Sequence, residues 1–210
     1  MDDTSMICST EQLQAVLGEA HQLNFDKSMP ALDEHCVSFL RMSTFLTVAS
    51  CSAAGKMDVS PKGDPAGFVQ VLDETTLAIP ERPGNRRADT FHNVLENPAV
   101  GLIFLVPGID ETLRVNGTAS ITVDPEVLTP MAVSGRVPQL ALLVHVEEVF
   151  FHCGKALKRG ALWSDEGRVD RSVLPSMGEL LHAQAKTERF GVDRELMHAI
   201  AQDDYDNKVY

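Results

Sequence analysis

The cleanest alternation in the chain runs from residue 112 to 123. Leu113, Val115, Gly117, Ala119, Ile121 and Val123 interleave with Thr112, Arg114, Asn116, Thr118, Ser120 and Thr122. A period of two places the first set on a core face and the second on a polar face, so the pattern predicts one long, half-buried strand. Gly117 and Ala119 suit a tight bend or the crowded interior of a barrel. Shorter strands are predicted at 45–50 and 57–61 across the turn 52–55, at 68–72 and 76–80 across Asp73-Glu74, and at 100–106. Pro61 cannot donate to a ladder, so the strand that holds it belongs at an edge or a break of the sheet. Residues 139–151 begin with apolar positions on both faces (Leu140 to Val144), as expected of a strand covered on both sides, a partner subunit being one source of cover.

Helical spacing appears elsewhere. Leu13, Val16, Leu17 and Ala20 share a face of a helix predicted over 10–23, with Thr10 as its N-cap. A second helix opens at Met29-Pro30, packs Leu32, Cys36, Phe39 and Leu40, and ends near Ser43. Asn85 can cap a third helix, with Ala88, Phe91 and Leu95 at helical spacing until Asn97-Pro98 stops it. Asp124-Pro125 starts a short helix to about Ala132, a basic helical turn lies within 152–163, and two more helices are predicted at 177–189 and 193–207. Antiparallel hairpins at short spacing, with one helix inserted between strands, predict a mainly β fold with flanking helices. A Greek-key or split β-barrel fits that order better than a parallel sheet. The implied organisation is N-terminal helices packed on the barrel (1–43), the barrel domain (44–163) and a C-terminal helical extension (164–210).

Composition narrows the function classes. With 210 residues, 44% hydrophobic and 23% charged, the chain can build one good core. Its formal net charge of -12 argues against nucleic acid or an anionic membrane as partner, because the long-range field repels both. No apolar run approaches the length of a membrane span. Four cysteines without a CxxC pair, and no charged-then-apolar leader, give neither a disulfide framework nor a zinc pattern. A reduced, cytoplasmic protein without a metal site is the expectation. Nucleotide binding through GxGxxG or GxxxxGK[ST] is disfavoured, since neither motif is present.

Against this acidic background, 81–117 reverses the sign locally, with Arg82, Arg86 and Arg87 within six residues. Arginines in the first turn of a helix oppose its dipole. An anion held between backbone N–H groups and two guanidinium forks would resolve the conflict, and phosphate has the matching geometry. A solvated basic turn that pairs with Asp89 or Glu81 is the alternative, and the residues alone leave both open. Lys155, Lys158 and Arg159 are similarly either part of a site or a solvated face. His92 reads as a structural or phosphate-adjacent residue, and Cys153 as a small buried one.

These residues, in this order, resemble the pyridoxamine 5'-phosphate oxidase-like family of flavin-binding split barrels over roughly 39–163. The most specific part is Gly84-Asn-Arg-Arg87 through Asn97-Pro98, the strand after it, and Gly117. The resemblance implies FMN as cofactor and a homodimer with two flavin sites at the interface. It places Arg86 and Arg87, next to Asn85, on the FMN phosphate. Asp58, Val59, Ser60, Pro61 and Lys62 would run along the isoalloxazine edge, with Lys62 reaching both flavin and substrate. Ile79, Pro80 and Glu81 would lie beside the ribityl chain, Thr112 would stand where the oxidases have a glutamine, and Trp163 would close the site from the other subunit. No acid–base catalyst is implied. Pro130, Ser134 and Pro138 stand where true oxidases grip the phosphate of vitamin B6, and Met57 where they carry an arginine, so the implied activity is that of an FMN-dependent oxidoreductase acting on another small molecule. A branch sharing SP[KR]GDP and RPGNRR motifs is more similar still. A non-catalytic flavin or haem carrier, or a redox sensor, is the alternative on the same barrel, and a deazaflavin is a further cofactor option.

Overall fold

The computed structural model describes residues 6–210. Seven strands form one fully antiparallel sheet: β1 (Phe45–Cys51), β2 (Met57–Gly63), β3 (Gln70–Asp73), β4 (Thr76–Pro80), β5 (Ala99–Leu105), β6 (Thr112–Thr122) and β7 (Ala141–His152). Their order is β2-β1-β5-β6-β7-β4-β3, so β2 and β3 are the edges. The edge position required by Pro61 is therefore the one observed. Among the described residues no helix is long and apolar enough to cross a membrane.

The alternation along β6 sets the core. Leu46, Phe104 and Leu113 stand in one cross-strand row, and Val48, Leu102, Val115 and Val149 in the next, all of them buried. Neighbouring strands thus present the same parity to the interior, which is what a barrel needs. The helix α3 (Glu34–Met42) adds Cys36, Phe39 and Leu40 to this cluster, with Phe39 meeting Phe151 edge-on at 5.5 Å. α4 (Asp89–Glu96) adds Phe91 and Val94.

β6 carries a bulge between Asn116 and Gly117, where its register on β7 shifts. A Cβ at residue 117 would lie 1.9 Å from the carbonyl oxygen of His145, so only glycine lets the two backbones approach. The bend that this bulge gives β6 helps the sheet to curl.

Several boundaries differ from the sequence expectation. The first helix, α1 (Thr10–Leu17), is capped by Ser9 and ends at Gly18, and α2 (Leu23–Asp26) is a separate turn. Leu13, Val16 and Leu17 consequently remain exposed, because a two-turn helix does not reach the barrel. Met29 does not open a helix. It exchanges two backbone hydrogen bonds with Val149, and Asp33 caps α3 instead. On α4 the buried positions are Thr90, Phe91, Asn93 and Val94, while Leu95 faces solvent. The apolar positions on the second face of β7 are covered by the chain itself. Leu128 of α5 (Pro125–Leu128) and Met131 of the following 3-10 turn close over Ala78 and Ala141. After the short α6 (Lys155–Arg159), α7 (Met177–Ala185) stops four residues before the expected end at 189, because Lys186 turns into the left-handed region and a separate 3-10 turn (Thr187–Phe190) follows, while α8 (Arg194–Asn207) matches the expected 193–207.

Gly117→Ala should lower the unfolding free energy by at least about 2 kcal/mol, since a backbone clash rather than a lost contact is involved. Gly108→Ala meets open space at a φ of 88° and should cost only about 1 kcal/mol. Denaturant melts of the two variants, compared with the parent, measure the difference.

Candidate functional site

The ends of β2 and β4 converge on one cleft. Lys62 donates from its Nζ to Glu81 Oε2, and its ammonium lies 5.2 Å from the ring centre of Phe91. Two residues on, Arg82 Nε reaches Asp64 Oδ2 at 2.5 Å, and Arg82 Nη2 donates to the carbonyl of Met131 at 2.8 Å. The side chains of Asp64 and Arg82 are only 1% and 15% exposed, so this pair works at low dielectric. Arg82 is thereby neutralised and turned inward, and the basic corner read from the sequence consists of Arg86 and Arg87 alone. Tyr210 completes the cluster: its hydroxyl donates to Asp64 Oδ1 at 2.6 Å, and Arg82 lies 6.0 Å from its ring centre. That hydrogen bond, and then burial, raises the Tyr210 hydroxyl above its usual pKa.

β2 presents two different edges. Asp64 N–H bonds to Thr44 and Ser52 N–H to Lys56, so the even-numbered residues of β2 point their backbone groups at β1. The backbone groups of Met57, Val59 and Gly63, and the carbonyl of Pro61, face away from any strand. Pro61 therefore sits where its missing N–H removes no ladder bond. On the inner face, Asp58 Oδ2 accepts from Ser60 Oγ at 2.9 Å and from Thr90 Oγ1 at 2.8 Å, which ties β2 to the first turn of α4.

The turn between β4 and α4 differs from the expected N-cap. Asn85 Oδ1 accepts from the N–H of Arg87 at 3.0 Å, forming an Asx turn rather than a helix cap. Arg86 and Ala88 both adopt positive φ, 59° and 54°, and the helix starts only at Asp89. Ala88 brings no side-chain oxygen, so the first-turn N–H groups of α4 lack a side-chain acceptor. Arg87 Nε bonds Asp89 Oδ2 at 2.8 Å, which raises the arginine and holds the Asp89 carboxyl below its usual range. Arg86 is exposed and has no ion-pair or hydrogen-bond partner for its guanidinium among the described residues. Arg87 thus pairs with the neighbouring acid, as the solvated-turn reading expects, and Arg86 is left without a side-chain partner among the described residues.

Not every expected residue joins this cleft. Ile79 and Pro80 are buried in the sheet, and of their trio only Glu81 reaches it with its side chain. The row Lys62–Leu46–Phe104–Leu113 puts Thr112 three strands away from Lys62 along the sheet, and its side chain is buried there. Trp163 donates from Nε1 to the carbonyl of Ile109 at 2.8 Å and lines a concavity of about 330 Å³ with Asp110 and Leu157. Lys158 turns back to Asp110 at 3.5 Å. His92 is exposed on α4. Cys153 is exposed rather than buried, because β7 ends at His152 and the chain turns outward into α6. Sequence reasoning missed Asp64, Thr90 and Tyr210. Asp64 shares the parity of Lys62 and was legible in principle, whereas Tyr210 carries no local signal.

Residues 32–153, more than half of the chain, match the family model described as pyridoxamine 5'-phosphate oxidase, and the chain belongs to that family of split barrels. Among solved structures, HupZ from Group A Streptococcus is 19% identical, covering 57% of this chain and 93% of that one at a TM-score of 0.48. An FMN-binding protein from Syntrophomonas wolfei subsp. wolfei is 13% identical, covering 67% and 97% at 0.45. HutZ, the haem storage protein from Vibrio cholerae, is 16% identical, covering 57% and 93% at 0.43. No curated protein sequence is similar enough to match this chain.

Asp64→Asn leaves the Arg82 guanidinium buried without its counter-ion and should cost about 3 kcal/mol, whereas Arg87→Ala, an exposed pair, should change stability by under about 1 kcal/mol. Thermal melts of the single variants distinguish the two. Burial, first of all, pushes the Cys36 thiol up to about 11. A disulfide reagent at pH 8 should accordingly label the exposed Cys8 and Cys153 quickly and Cys36 only on unfolding, where about one thiol in a thousand is otherwise thiolate.

Proposed function

We propose that this protein binds FMN as a homodimer and oxidises or reduces a small molecule other than the phosphorylated vitamin. The observation that carries the reading is the turn before α4. A free guanidinium, a second one held by a single carboxylate, and a helix N-terminus without a side-chain cap meet within four residues. Two non-glycine residues held at positive φ cost about 1 kcal/mol each, and a bound phosphate would repay that strain. The free backbone edge of β2 suits the polar rim of a flavin ring. FMN, when bound, supplies the hydride or electron transfer. Arg86 and Arg87 hold its phosphate, the edge from Asp58 to Lys62 orients the ring, and Lys62, kept in place by Glu81, favours negative charge beside it.

The homodimer rests on the outer face of the sheet. Met57 and Val59 are 63% and 62% exposed there, and Phe45 and Ile103 lie in the neighbouring rows. A second copy would cover this apolar surface and bring Trp163 to the cleft that it does not reach within one chain. Pro130, Ser134 and Pro138 offer no guanidinium or phenol to a substrate phosphate, which supports a different substrate. The free thiols among the described residues fit a reducing compartment, and we place the protein in the cytoplasm.

FMN titrated into the purified protein should lose its fluorescence as it binds, one equivalent per chain. The double variant Arg86→Ala, Arg87→Ala should stay folded and bind about a hundredfold more weakly, because two charge-assisted contacts of about 1.5 kcal/mol each are lost. Unchanged affinity sinks the phosphate assignment, and a Soret band in place of flavin absorbance favours a haem carrier. Consumption of NADH or NADPH by the loaded protein separates an enzyme from a carrier.

A further inference from the structure

We infer that the segment following α8 is a latch over the cleft, closed by Tyr210 on the ion pair that joins β2 to the end of β4. The segment lies outside the family-matched region; Lys208 stays on α8, while Tyr210 contacts Asp64, Arg82 and the turn that holds Arg136. The Tyr210 hydroxyl donates to Asp64 Oδ1, its ring centre lies 6.0 Å from the Arg82 guanidinium, and Arg136 Nη1 donates to its main-chain carbonyl. Three side chains from three parts of the chain thus converge on one residue.

Position makes this contact consequential. Asp64 lies two residues after Lys62 on the same side of β2, and Arg82 directly follows Glu81. Tyr210 therefore docks immediately beside the Lys62–Glu81 pair, on the side of the cleft lined by Met131 and Arg136. A molecule that reaches Lys62 from this side must displace the tyrosine. Asp64 already has one oxygen on Arg82, so Tyr210 satisfies the other, and opening the latch leaves a nearly buried carboxylate oxygen to be solvated. Opening is therefore a discrete step rather than a gradual fraying. Lys208 pairs with Asp203 and Asp204 on α8, which fixes where the segment leaves the helix.

The latch rests on the flavin reading only for what it gates, and the test separates the two. Hydrogen exchange is followed on the full chain for the parent, Tyr210→Phe and Tyr210→Ala. The amides of Asp64 and Glu81 donate to the carbonyls of Thr44 and Leu140 at the very ends of the β1–β2 and β4–β7 ladders, beside the Asp64–Arg82 pair that Tyr210 holds, and these ends should fray when the latch opens. Both variants should speed their exchange about tenfold, the loss of one charge-assisted hydrogen bond, with amides of β5 and β6 unaffected. Unchanged exchange at Asp64 and Glu81 overturns the latch whether or not FMN binds. Stopped-flow binding of FMN then reads the gate: the on-rate should rise about tenfold in Tyr210→Ala. Faster exchange with an unaltered on-rate overturns the gating role. If FMN binds no variant, the flavin reading falls, while the exchange data still decide the latch.

Discussion

Two ion pairs stand at the seam where the sheet has no ladder, over a core that β1 and β4 share. β2 is an edge strand and β4 lies near the other edge, so nothing in the hydrogen-bond ladder connects them. Lys62–Glu81 and Asp64–Arg82 make that connection. Such a seam is conditional in a way that a ladder is not: each partner is costly to bury alone, so the two elements are either joined with both pairs made or separated with both solvated. The β2 backbone keeps its free edge next to this seam.

Electrostatics then divides the site. The chain carries a net charge of -12, so an anion is attracted only where cations are close and unpaired. Arg82 looks equivalent to Arg86 in the sequence but is spent on Asp64 and the Met131 carbonyl. Arg86 is kept free by a backbone turn that holds it at positive φ, and Arg87 is half committed to Asp89. Asp58 links the two halves, since its bond to Thr90 fixes the strand that would carry the ring against the helix that would carry the phosphate. The outer face of β1, β2 and β5 leaves Met57, Val59, Phe45 and Ile103 exposed on the side away from the core.

Much of the barrel was legible in the sequence because its signals are local. The alternation along β6, the proline in β2, the Asp124-Pro125 cap and the glycine at the bulge each act within a few residues, as do the short apolar runs that marked the other strands and the Gly84–Arg87 turn that carried the family resemblance. Arg86 and Arg87 were legible for the same reason, since sign reversal is a property of a short stretch. Helix starts were less so. Asn85 and Thr10 are good caps by composition, but the Asx turn at Asn85 and the Ser9 cap win on geometry. Propensity cannot rank two acceptable caps a residue or a turn apart.

Only the tertiary structure decided which charges are spent. That Arg82 turns in, that Asp64 is nearly buried, that Cys153 is exposed and that Tyr210 returns to the barrel all depend on contacts between residues far apart in the chain. Pairing energy scales with distance and burial, and neither is written in the order of residues. The sequence by itself determined the strands, the sheet edge and the presence of a cationic corner; folding determined which of three arginines remains free to bind.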